Sequence, residues 1–257
     1  MRKYLFNKFI FSFLLFLSFD LLFSQTQILT DIDGQAATDY SGYKVAISDD
    51  GTRIAIGEET ALGSQNVKIN ARGSGQVRIF DYSESGWVQV GSNIDGEGAG
   101  DLFGWPVSLS SDGTRLAVGA DNNDDKEIDA GHVRVYDYTA SGWSQICSDI
   151  DGEAEADKSG FSASLAGDGT RIAIGAKYND GGGNNAGHVR VYEASSCSQV
   201  GADLDGVTAD DNFGYSVSIS DDGSILAVGS PNFDGNGSNA GRVYIYEFSN
   251  GSWSQVG

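Results

Sequence analysis

The apolar positions of this chain fall into one phrase that returns four times. In FGWPVSLS (103–110), small or polar side chains alternate with apolar ones, the period of a strand with one face on a core. RLAVGA (115–120) is instead a short continuous apolar run, as expected of a strand covered on both faces. Ser-Asp-Gly-Thr stands between them and predicts a two-residue hairpin turn of type I′, because Asp-Gly tolerates the positive φ angles that such a turn needs. GHVRVYDY (131–138) resumes the two-residue period, with Val133 and Val135 on one face and Arg134 and Tyr136 on the other. GWSQICSDI (142–150) closes the unit.

The copies are SDDGTRIAIGE (48–58), SSDGTRLAVGA (110–120), AGDGTRIAIGA (166–176) and SDDGSILAVGS (220–230). Their Asp-Gly glycines, Gly51, Gly113, Gly169 and Gly223, are spaced by 62, 56 and 54 residues. The glycines that open the third strand, Gly75, Gly131, Gly187 and Gly241, are spaced by 56, 56 and 54, so two independent markers share a period. The longest connection in each unit, between second and third strands, is rich in Asn, Asp and Gly and leaves no place for a helix. Four-stranded antiparallel units at this spacing predict an all-β protein, a β-propeller whose blades bury their faces against one another. A stacked β-helix is the alternative, though its turns are usually shorter. The units run over about 30–87, 88–143, 144–197 and 198–257. Four units make either a ring closed by a shared strand or an arc, and the reading here is an arc completed by further repeats or by another chain.

Composition narrows the partners. Sixteen Lys and Arg against 36 Asp and Glu give a net charge of −20, which repels nucleic-acid phosphates and anionic lipid. The N-terminus has three bases (Arg2, Lys3, Lys8), an apolar run from Phe9 to Phe19 and a small residue at Ser24, the layout of a secretory signal peptide over residues 1–24. Asp20 interrupts the run, and no other segment is apolar enough to span a membrane once the signal is removed. Its removal takes three bases and one acid, leaving 13 against 35 in residues 25–257 and a net charge of −22. A secreted or cell-surface location follows. It permits a disulfide, but Cys147 occupies the place of Gly91, Gly201 and Gly257 in other units and Cys197 that of Trp87, Trp143 and Trp253, so the two are expected to stay unbridged within the chain.

Phe103-Gly104 followed by Gly119-Ala120, and Phe213-Gly214 followed by Gly229-Ser230-Pro231, resemble the FG-GAP repeats of the integrin α-subunit propeller and of many secreted bacterial proteins. The resemblance covers most of residues 30–257, although the first and third units have Ser41-Gly42 and Ser159-Gly160 in place of Phe-Gly. It implies a propeller of binding or adhesion function. Calcium-binding members carry an Asp-rich loop between the first two strands, a place that the bare Asp-Gly turn takes here.

The best candidate cation site lies elsewhere, in DNNDDKEIDAG (121–131). Asp121, Asn123, Asp125 and Asp129 stand at positions 1, 3, 5 and 9 of a calcium-loop spacing, with Glu127 at position 7 and Lys126 where such loops turn on glycine. A solvated acidic turn is the competing reading. Asp39, Asp101, Asp157 and Asp211 recur three residues before each first-strand glycine, either as turn caps or as a rim of carboxylates. His132 and His188 alternate with Gln76 and Arg242 and are expected to be exposed strand residues. Arg78, Arg134 and Arg190 share a strand face with Phe80, Tyr136 and Tyr192, a stacking arrangement or an aromatic platform for sugars. No nucleophile–base set, zinc pattern or phosphate loop is present. The expectation is a non-enzymatic module that binds an extracellular protein or glycan through loops at one end of the blades, with no cofactor beyond a calcium ion. A carbohydrate-active hydrolase or lyase using the carboxylate rim, and a passive spacer of a larger surface protein, are the alternatives.

Overall fold

The computed structural model describes residues 30–58 and 73–257, so the signal-peptide reading of residues 1–24 lies outside the described residues. Four antiparallel sheets follow one another, and no helix occurs among the described residues. The first holds β1 (Lys44–Ile47), β2 (Arg53–Glu58), β3 (Gln76–Ser83), β4 (Gly86–Gln89) and β5 (Ile94–Asp95). The second holds β6 (Val107–Leu109), β7 (Arg115–Ala120), β8 (His132–Thr139), β9 (Gly142–Gln145) and β10 (Ile150–Asp151). The third holds β11 (Ser159–Leu165), β12 (Arg171–Ala176), β13 (His188–Glu193), β14 (Ser198–Gln199) and β15 (Leu204–Asp205). The fourth holds β16 (Ser216–Ile219), β17 (Ile225–Ser230), β18 (Arg242–Ser249) and β19 (Ser252–Gln255). Each sheet is a meander, and these are blades of a β-propeller. The expected unit boundaries at 87/88 and 143/144 fall inside β4 and β9. What reads as one outer strand is broken in two: β9 pairs with the far half of β8, and β10 with its start.

The core lies between blades rather than within them. One cluster joins Ala55, Val77 and Ile79 of the first blade to Phe103, Val107, Leu116 and Val118 of the second. A second joins Val133 and Val135 to Leu165, Ile172 and Ile174, and a third joins Val189 and Val191 to Phe213, Leu226 and Val228. The marker glycines make this approach possible. A Cβ on Gly119 would stand 2.5 Å from the Gly160 carbonyl oxygen of the next blade, and one on Gly131, at φ 73°, would stand 2.2 Å from that of Ser159. Packing runs from each blade to the next. No comparable packing joins the fourth blade to the first among the described residues. Val45 and Ile47 are accordingly 67% and 60% exposed, whereas their counterparts Val107 and Leu109 are buried. At the other end Val243 is 67% exposed where its counterpart Val189 is wholly buried. The structure is an open arc, as expected of propeller repeats whose end faces lack a neighbour.

Two local expectations are corrected. The Asp-Gly turn is not type I′, since only the glycine has positive φ: Gly51 at 70° and Gly113 at 67°. In each unit the glycine N–H bonds the carbonyl three residues back, as from Gly113 to Ser110 at 2.8 Å. The aspartate side chain sets this geometry, Asp112 Oδ1 accepting from Thr114 N (2.9 Å), Thr114 Oγ1 (2.8 Å) and Ser110 Oγ (2.7 Å). The second correction concerns the cysteines, which are bonded to each other with Cα atoms 6.1 Å apart. Their places in the repeat explain it. A Cβ on Gly91 would touch Trp143 of the next blade at 3.5 Å, and one on Gly201 would meet Trp253 at 2.9 Å. Cys147 and Cys197 replace such a glycine–tryptophan pair at the middle junction, so non-equivalent positions of adjacent blades are the ones that meet.

Candidate functional site

The two ends of each blade differ. At the Asp-Gly end, an arginine after the turn ties neighbouring blades together. Arg115 makes two bonds to Asp137, from Nε at 2.6 Å and Nη2 at 2.8 Å, and its Nη1 donates to the Gly169 carbonyl of the next blade at 2.6 Å. Arg53 does the same with Asp81 and Gly113, and Arg171 reaches Glu193 and Gly223. Arg53 also lies 4.2 Å from the Tyr138 ring, and Arg171 4.2 Å from that of Phe248. The position holds Ile225 in the fourth blade, where no following blade lies among the described residues. The groups at this end satisfy one another.

The opposite end carries the long second-to-third connections and the crossings between blades. The residue after each first-strand glycine is aromatic: Tyr43, Trp105, Phe161 and Tyr215. Successive blades bring these four into one row. Ring centroids are 4.6 Å apart for Tyr43–Trp105, 6.0 Å for Trp105–Phe161 and 5.0 Å for Phe161–Tyr215. Tyr43 and Tyr215 are exposed, while Trp105 and Phe161 are half-buried. Lys44 Nζ lies 4.0 Å from the Trp105 ring and Lys177 Nζ 3.4 Å from that of Phe161, so cations flank the row in an otherwise acidic chain. Beside Tyr215, a groove of about 430 Å³ is lined by Pro231, Arg242 and Val243. The row was legible as a column of the repeat, but each ring taken singly reads as an ordinary strand aromatic.

The recurrent aspartates cap turns. Asp39, Asp101 and Asp157 are buried and accept from the backbone N–H three residues earlier, at 2.6, 2.9 and 3.0 Å. Asn123 and Asn179 donate to Asp101 and Asp157 at 2.9 and 3.0 Å. Burial pushes the Asp101 carboxyl above its usual range. Asp211 is equally buried.

The candidate calcium residues part company. Asn123 is tied to Asp101, Asp129 pairs with Lys158 at 2.7 Å, and burial pushes Asp121 up to about 6. Asp125 instead joins Glu97, His132 and Asp149, one ligand atom of each lying within 4.8 Å of the others. His132 and His188 are each only 1% exposed, contrary to the expectation of exposed strand residues. The third strand is polar at this position, yet neighbouring segments cover it: His132 Nδ1 lies 3.4 Å from Asp149, in the segment before β10, and His188 Nδ1 lies 3.7 Å from Glu153, on the crossing from the preceding blade. Burial and the neighbouring arginine push both imidazoles down to about 4. Arg134 pairs with Glu97 and Asp149, and lies 5.4 Å from the Phe103 ring. Arg78 lies 5.2 Å from the Phe80 ring and Arg190 5.6 Å from that of Tyr192, the stacking expected along this strand face, and all three arginines are buried rather than presented on an open aromatic platform.

Fold and site together define a β-propeller arc with an interlocked turn end and a chemically varied loop end. The comparisons agree on the repeat: residues 92–136 and 204–246 match the FG-GAP repeat, and the chain carries FG-GAP repeats at these two places. Among solved structures it is similar to the hydrazine synthase of Kuenenia stuttgartiensis, at 14% identity and a TM-score of 0.51 over 90% of this chain and 53% of that one. It is also similar to the periplasmic gluconolactonase of Pseudomonas aeruginosa, at 16% identity and a TM-score of 0.53 over 84% of this chain and 56% of that one. The chain spans little more than half the length of either, and the likeness is one of fold. No match was found among curated proteins.

Proposed function

We propose that this chain is a secreted or cell-surface binding module that recognises a glycan or a protein at the loop end of its blades, with the row Tyr43–Trp105–Phe161–Tyr215 as the contact surface. The observation that carries this reading is the row itself: four rings spaced for a ligand to lie across several blades, two of them exposed. Aromatic rings give a sugar's apolar face a large, rigid surface at little cost in side-chain entropy. Lys44 and Lys177 beside the rings favour a glycan bearing carboxylate or sulfate groups over a neutral one. No helix of the described residues is long and apolar enough to cross a membrane, and the basic-then-apolar N-terminus supports export.

The gluconolactonase likeness favours a second reading, a hydrolase on the same scaffold. The carboxylates expected to serve it, Asp101 and Asp157, are held in turns by backbone N–H groups and asparagine amides. An array of neutral and acidic glycans, probed with the chain and with Phe161→Ala, tests the binding reading. Retention on acidic glycans that falls at least tenfold in the variant supports it. Equal retention of both proteins sinks it, and turnover of an arrayed glycan or lactone by the unmodified chain favours the hydrolase.

A further inference from the structure

At the loop end of the second blade, three acids and a buried imidazole converge where the crossing from the first blade passes over β8. Glu97 comes from that crossing, Asp125 from the long connection, His132 from the start of β8 and Asp149 from the segment before β10. One ligand atom of each lies within 4.8 Å of the others. His132 is 1% exposed, and its Nδ1, which makes no hydrogen bond, faces the acids 3.4 Å from Asp149 Oδ2. Three carboxylates against the single guanidinium of Arg134 leave two negative charges beside a neutral imidazole.

We infer that Glu97, Asp125, His132 and Asp149 form a binding site for a first-row divalent transition cation such as Zn²⁺. An imidazole nitrogen among the donors selects such an ion over Ca²⁺ and Mg²⁺, which take oxygen ligands. Donor atoms spread over less than 5 Å close around an ion with bonds of about 2.0–2.2 Å after small side-chain rotations. The site differs from the calcium spacing of the 121–131 loop, from which it takes only Asp125.

The first blade supplies an internal control. There Gln76 stands in the register of His132, Asn93 in that of Asp149 and Gln35 in that of Glu97. These amides bond to one another, Asn93 Nδ2 donating to Gln35 and Gln76 at 3.0 Å each and Gln76 Nε2 to Gln35 at 3.3 Å. Amides carry both donors and acceptors, and this set is satisfied within itself and by Glu58, which accepts from Gln76, and Gln89, which donates to Asn93, whereas carboxylates and a neutral imidazole nitrogen are acceptors that call for a positive centre. The third blade repeats the arrangement with one ligand fewer, Glu153, His188 and Asp203, so a weaker site for the same ion is expected there.

Isothermal titration of the metal-stripped, tag-free chain with Zn²⁺, read alongside the visible absorption of added Co²⁺, tests the site. The expected result is one tight and one weaker equivalent, a ligand-field band with Co²⁺, and no displacement by millimolar Ca²⁺. His132→Gln places in the second blade the residue that the first blade already holds, so it should melt like the parent without metal and lose the tight equivalent. Asp149→Asn should weaken Zn²⁺ at least tenfold and covers the case in which the histidine variant does not fold. No saturable Zn²⁺ binding below millimolar, unchanged binding in folded His132→Gln or Asp149→Asn, or displacement by Ca²⁺ would overturn the assignment.

Discussion

The two ends of the blades are built from the same repeat and differ in how closely they copy it. At the turn end, three successive arginines make the same bonds to an acid of their own blade and to a glycine carbonyl of the next. At the loop end, equivalent positions hold Gln76, His132, His188 and Arg242, or Tyr43, Trp105, Phe161 and Tyr215. Repetition is close where blades must fit one another, because each junction presents the same geometric problem. It loosens where the groups meet one another or solvent instead. The arginine ties between blades lie at the turn end, while the side chains that vary from blade to blade gather at the loop end.

Breaking the ties between blades should have the largest effect. The disulfide closes a separation of 50 residues across the middle junction, so replacing both cysteines by serine is expected to cost about 4 kcal/mol in urea unfolding. Cys147→Gly with Cys197→Trp should recover part of that loss, because it restores the contact that Gly91 makes with Trp143. A next test uses acid. Both histidines titrate near 4 in the folded chain and near 6.5 when unfolded, so the unfolded state takes up protons first and stability falls as pH drops from about 6.5 to 4. Asp121, raised to about 6, opposes this by taking its proton earlier in the folded state. The combined contribution of these three groups, a loss on the order of 3 kcal/mol that the raised Asp101, Asp151 and Asp205 carboxyls reduce, is measured by denaturant titration at pH 7 and pH 4.5 in the presence of a chelator.

Arg115→Ala should cost roughly 1–3 kcal/mol, since it removes a partly exposed two-pronged ion pair together with the bond to Gly169. Asp112→Ala should cost about 1 kcal/mol through loss of the turn bonds to Ser110 and Thr114. Both should leave ligand retention at the loop end unchanged. Reduced retention in folded Arg115→Ala would blur the division between the two ends.

Much of the blade architecture was legible in residue spacing, because two glycine columns mark backbone approaches that every junction repeats. What neighbouring blades lay across a position was not. His132 follows a polar column and reads as exposed, yet the crossing with Glu97 and the segment with Asp149 bury it. Cys147 and Cys197 stand in different columns and look unable to pair, and only the stacking of blades makes those columns adjacent. The Asp-Gly pair marks the place of the turn but not its type: Gly113 alone takes a positive φ, while Asp112 accepts hydrogen bonds from Thr114 and Ser110. In the acidic loop, alternate carboxylates suggested a single ion, whereas the fold sends Asp125 to His132 and Asp129 to Lys158.

The central claim, that recognition belongs to the loop end, is tested most directly by amide hydrogen exchange on the chain with and without a glycan retained on the array. The account predicts slowed exchange in the segments holding Tyr43, Trp105, Phe161 and Tyr215, with the Asp-Gly turns unchanged. Protection confined to residues 49–52, 111–114 and 167–170 would contradict it.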